Sequence, residues 1–225
     1  MILALIAAMA AAQAPAAAKC PEGTTTQALT CRALQDSKSG NAEAAAQGFE
    51  QAANAQTSDD AEKARLWAAA GNMWIAAGQA GKAAFALDKA LAGTGLQAEQ
   101  RFPALLDRAR AAEAQNDLKM ARSKVTEATR SISGDPFLWY FSAALAIREG
   151  DAVTAKTAIG KALEMEPNDP TVLFEAGHVY HFAGDIAAAR SYWTRASTAD
   201  PNGKSGQAAR EALAMLPAPT TTTTR

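Results

Sequence analysis

The chain has 225 residues, with 22 Lys and Arg against 23 Asp and Glu and a formal net charge of −1. It therefore carries no basic field of the kind that grips a nucleic-acid backbone, and its charged residues read as an ordinary solvated surface. Alanine is abundant and aromatics make up only 6% of the chain, a composition suited to closely packed helices.

In chain order, Met1 to Ala12 is an apolar run, Ala-rich sequence continues to Ala18, and the first charge is Lys19. Ala16-Ala17-Ala18 offers the small residues a signal peptidase accepts, so residues 1–18 are expected to be a secretory signal, although no Lys or Arg precedes the apolar run. A retained membrane anchor is the competing reading. Gln13 and Pro15 interrupt a run already short of the ~20 residues a span requires, which favours cleavage. Cys20 and Cys31 are an even pair, and in an exported chain they read as a disulfide tying the new N-terminus to the first helix. Two separate buried thiols are the alternative. Lipidation of Cys20 fits poorly because Lys19 precedes it.

Small and bulky residues then recur at helical spacing. A first, degenerate copy is carried by Leu29, Ala33, Gly40, Ala45, Phe49 and Ala52. Asp59 followed by Glu62 resembles a capping box for a helix bearing Trp67, Ala70-Gly71 and Trp74, which is answered by Ala83, Leu87 and Ala90. Gly93-Thr94-Gly95 marks a flexible connection holding extra residues, after which come Leu105, Ala109, Ala112, Ala121, Val125 and Ala128. The clearest copies begin at Asp135-Pro136 and Asp169-Pro170, a period of 34, with Gly150-Asp151 and Gly184-Asp185 at their middles and Pro167 and Pro201 at their ends. Leu173, Ala176, Gly177 and Tyr180 form one helical stripe, and Ala189, Trp193 and Ala196 form the stripe of the next helix. Ala209, Leu213 and Leu216 make a last amphipathic stripe. Residues 217–225 are Pro- and Thr-rich with no apolar period and are expected to be a disordered tail.

This period and pattern resemble the tetratricopeptide repeat family: Trp139 and Leu173 open the last two copies, Ala176-Gly177, Tyr180, Ala189, Ala196 and Pro201 fill the family's slots, and Ala146 stands where an aromatic is usual. The resemblance implies an all-α fold, a right-handed α-solenoid of about five helix-turn-helix repeats over residues 19–216, closed by a C-terminal capping helix. It also implies a protein-protein interaction scaffold that binds a peptide or helix in a concave groove made by the first helix of each repeat. A structural subunit or assembly factor of a cell-envelope complex is the alternative. An enzyme is a distant third, since no nucleophile or acid-base constellation emerges.

Within that frame a second stripe on the last first-helix, Phe174, His178, His181 and Phe182, is free for binding, and one repeat earlier it continues through Tyr140, Ile147 and Arg148, with Ala144 as a dip. Arg148 is expected to offer an anion contact. The face is unlike the carboxylate clamps of the family that grip chaperone tails, because Asn72 alone resembles one. Packing between adjacent repeats is the other use these side chains could have. His178 and His181 with Glu175 lack the further ligands a metal site needs, and Gly203-Lys204-Ser205 lacks the first glycine and preceding strand of a phosphate loop. No cofactor and no metal are expected. The partner is expected to be a protein or peptide, with no nucleic acid, no membrane span once the signal is removed, and an exported location, periplasmic in a bacterial host.

Overall fold

A computed structural model describes residues 19–131 and 134–217. The expected signal, residues 1–18, lies outside the described residues, as does the expected tail apart from Pro217, whose carbonyl accepts a hydrogen bond from Arg190.

Among the described residues the regular elements are eleven α-helices. They run α1 (Thr26–Lys38), α2 (Ala42–Ala55), α3 (Asp60–Ala76), α4 (Ala80–Leu91), α5 (Ala98–Ala114), α6 (Leu118–Ser131), α7 (Pro136–Glu149), α8 (Ala152–Met165), α9 (Pro170–Phe182), α10 (Ile186–Ala199) and α11 (Lys204–Met215). Each packs on its sequence neighbours, and α3 on α5 and α7 on α9 pack across one repeat. The protein is thus an all-α solenoid of five helix pairs, α1/α2 to α9/α10, closed by α11.

Local chemistry sets the boundaries. Asp135 accepts from the Phe137 N–H at 2.8 Å, and Asp169 from those of Thr171 and Val172 at 2.8 and 2.9 Å, while Pro136 and Pro170 occupy the first turn, where no N–H is needed. Between the helices of a pair the backbone turns left-handed, at Gly150 (φ 78°) and Gly184 (φ 79°). Asn116 (φ 60°) holds the corresponding place after α5, the non-glycine residue that tolerates this region best.

The two-stripe register holds within every pair. Gly71 faces Leu87, and Gly177 faces Trp193 so closely that an added Cβ would lie 2.2 Å from the indole Nε1. Ala143, Ile159, Ala109 and Val125 fill the equivalent places and are buried. Trp139 is the exception: it is only partly buried, its ring covered by the Lys161 ammonium 4.0 Å from the centroid. In α11 the positions equivalent to Leu173, Ala176 and Gly177 are Gln207, Arg210 and Glu211, which suit water, and among the described residues no second helix follows to pair with it. Ala209 is buried, with Leu213 and Leu216 packed beside it.

Cys20 and Cys31 are joined by a disulfide with Cα atoms 5.6 Å apart, and Arg32 adds hydrogen bonds to the carbonyls of Pro21 and Gly23. Two local expectations need correction. At the start of α3, Asp59 caps the Glu62 N–H at 2.9 Å, but Glu62 does not reciprocate: its carboxylate accepts from the Gln56 amide, and the Gln56 carbonyl takes the Asp59 N–H instead. The connection at Gly93-Thr94-Gly95 is also packed down. A Cβ on Gly95 would meet the Asp60 carbonyl at 2.7 Å, Leu96 is buried, and Arg101 donates to the carbonyls of Leu91 and Gly93. The extra residues are used to seal the N-terminal end of α3.

Candidate functional site

The first helices α5, α7 and α9 together line one concavity of about 610 Å³. It is lined by Ala144, Ile147 and Arg148 on α7, by Glu175, His178, His181 and Phe182 on α9, and by Glu113 on α5. Phe182 is 40% exposed, an uncovered apolar ring on this lining.

Five of the seven sequence-predicted groove residues meet here: Ile147, Arg148, His178, His181 and Phe182. Arg148 is already engaged. Its guanidinium donates to the carboxylate of Glu113 at 3.0 Å, to the carbonyl of Glu113 at 3.2 Å and to Asn116 at 3.0 Å, stitching α7 to the end of α5, so the expected free anion contact is taken up inside the array. His178 turns toward its own repeat, with ring centroids 4.5 Å from Phe174 and 5.3 Å from Trp193. Burial lowers its pKa, with the neighbouring His181 adding to the effect, so the neutral imidazole is favoured. Phe174 belongs to this aromatic packing more than to the hollow: its carbonyl accepts the Trp193 indole N–H at 3.1 Å.

Tyr140 lies in a separate depression of about 290 Å³, with Phe137, Asp135, Glu166 and Asp169. Burial pushes its hydroxyl up to about 12, and the carboxylates of Glu175, Asp169 and Asp135 act in the same direction. Asn72, the one clamp-like residue, donates to Asp107 at 2.8 Å, and Asp107 also pairs with Arg110. Glu175 was missed as a groove residue. Burial alone raises its carboxyl to about 7.

A second feature escaped the sequence. On α4, outside the Ala83/Leu87/Ala90 stripe, Phe85 is 57% exposed, with Lys89 placed over both its ring and that of Trp67 and with Lys82 over Trp74. A lone aromatic between two lysines on a second helix was the available signal. Among the described residues no group of three or more His, Cys, Asp or Glu is placed to hold a metal ion, and no helix is long and apolar enough to cross a membrane.

No family model matches the sequence, and no curated protein does. Solved structures do match in fold. YrrB, described as a tetratricopeptide-repeat protein with an unusual peptide-binding site, shares 16% identity at a TM-score of 0.60, over 82% of this chain and 91% of its own. PilW, a type IV pilus biogenesis factor, shares 17% at 0.67, over 81% of each chain. A tetratricopeptide repeat protein from Parabacteroides merdae shares 14% at 0.70, over 84% of this chain and 72% of its own. The chain has the tetratricopeptide-repeat fold.

Proposed function

We propose that this chain is a non-catalytic scaffold that docks a peptide or helix of a partner protein on its concave face, in the C-terminal half. The observation that carries the reading is the hollow spanning three successive first helices, lined by the half-buried Ile147 and the exposed Phe182. Exposed apolar side chains grouped in a concavity are the usual mark of a docking surface. The peptide-binding site ascribed to YrrB agrees with this use of the fold. An exported, envelope-facing location is supported by the apolar start, by the disulfide and by the likeness to a pilus biogenesis factor.

The structural-subunit reading has one observation in its favour, the exposed Phe85 flanked by Lys82 and Lys89 on a second helix, away from the groove. Affinity capture from the native envelope separates the two. Phe182→Ala and Ile147→Ser should lose the captured partner while Phe85→Ala keeps it, with thermal midpoints measured alongside. The reverse pattern favours the structural subunit, and unfolding of Ile147→Ser leaves Phe182→Ala to decide.

A further inference from the structure

Two arginines on the first helices are answered from within the array. Arg148 is held by Glu113 and Asn116, and Arg110 by Asp107, which also accepts from Asn72. Glu175 is different. Among the described residues its carboxylate meets no hydrogen-bond or ion-pair partner, and the half-buried side chain keeps its oxygens in contact with water.

Its place in the repeat sharpens the contrast. One period earlier the same position is Phe141, a buried core residue, and two periods earlier it is Asp107, a carboxylate with two partners. α9 therefore carries a carboxylate where α7 carries an aromatic ring, without the partners that Asn72 of α3 and Arg110 of α5 give Asp107. A half-desolvated charge of this kind costs stability unless a cation or donor reaches it. The group opens into the hollow, so the missing partner can come from outside. Arg148 and Glu113, which also line the hollow, are paired with each other, so Glu175 is the carboxylate there left to an incoming cation.

We propose that the segment docking in this concavity is cationic and amphipathic, bringing a Lys or Arg to Glu175 and an apolar side chain onto Ile147 and Phe182. This rests on the reading of the hollow as the docking face. An acidic segment would meet Glu175 unpaired and would have to pull Arg148 away from Glu113, so charge complementarity selects against it.

The test uses the purified chain and two fluorescein-labelled Ala/Leu helical peptides of roughly 15 residues, identical except for Lys or Glu beside the leucine stripe. Fluorescence anisotropy should give the Lys peptide a Kd roughly tenfold lower than the Glu peptide, the effect of one charge-assisted hydrogen bond. Glu175→Gln should abolish that preference without lowering the thermal midpoint, and Phe182→Ala should weaken both peptides equally. A preference that survives Glu175→Gln, or a preference for Glu, overturns the proposal. Equal binding of both peptides that Phe182→Ala still weakens overturns it while leaving the docking face intact. Binding of neither overturns both. Self-association of the chain abolished by Phe182→Ala would make the occupant a second copy and also overturn it.

Discussion

Replacing Gly177 by Ala sets two physical effects of opposite sign against each other. In a solvated helix the change is favourable by about 1 kcal/mol, because glycine loses more backbone freedom on folding. At this position the new Cβ would stand 2.2 Å from Trp193 Nε1, 2.3 Å from Cδ1 and 2.7 Å from Cε2, all of them ring atoms that cannot yield separately. The indole must move, and in moving it gives up its hydrogen bond to the Phe174 carbonyl. Overpacking costs about 1 to 3 kcal/mol and the lost bond about 1 more, so a net destabilisation of about 1 to 3 kcal/mol is expected. The control is Gly160→Ala in α8, where nothing lies within 4 Å of an added Cβ and the substitution should stabilise by up to about 1 kcal/mol. Thermal unfolding followed by circular dichroism reads both, each kcal/mol moving the midpoint by roughly 2 to 4 °C in a chain of this size. If Gly177→Ala stabilises as Gly160→Ala does, α9 and α10 do not approach as described and the repeat register is wrong.

Other predictions follow from single contacts. Glu175, raised to about 7 from its ordinary value of 4.5, binds more protons folded than unfolded between those values, so its burial costs nothing below pH 4.5 and destabilises increasingly as pH rises toward 7. Glu175→Gln should therefore raise the urea midpoint at pH 8 by an amount equivalent to at most about 3 kcal/mol and leave it unchanged at pH 4. A stabilisation equal at both pH values would show that the carboxylate is not the cause. Recovered from its native host, the protein should have the intact mass of a chain starting near Lys19 with one disulfide, and Cys31→Ser should lower stability by about 2 to 3 kcal/mol in the chain-entropy account; a mass that includes Met1, or two thiols alkylated without reductant, refutes this. Asp88 holds the buried Arg108 through two hydrogen bonds of 2.7 and 3.2 Å, so Asp88→Ala should destabilise by about 1 to 3 kcal/mol while Asp88→Glu recovers part of the loss, measured by the same urea titration.

The helix pairs were legible because the 34-residue period repeats the punctuation as well as the stripe. Asp-Pro opens α7 and α9, Gly-Asp closes their turns, and Gly177 against Trp193 follows from a small residue standing where two stripes face each other. Three details were not legible, for a common reason. Whether Asp59 or Gln56 answers the orphan N–H groups of α3, whether Gly95 hangs free or seals against Asp60, and whether Arg148 is open or held by Glu113 each depend on how two elements sit in space. A stripe specifies which face is buried, and says nothing of which polar atoms on neighbouring elements come within hydrogen-bond reach.

The groove shows the same limit on a single helix. Phe174, His178, His181 and Phe182 share one arc of α9, yet Phe174 stays out of the hollow, Phe182 borders it, and His178 and His181 line it while their rings also pack on Trp193 at 5.3 and 5.6 Å. At about 100° per residue, Phe182 lies about 80° around the helix from Phe174, and Glu175 only about 20° beyond Phe182. Glu175 thus shares the arc of Phe182, and counting apolar residues alone passes over it. The arc turned toward the first helix of the preceding repeat is set by the angle at which repeats stack, a long-range property that the stripe on one helix does not contain. Under the proposed docking in this hollow, exchanging the Glu175 carboxylate should change what docks while the fold stays the same.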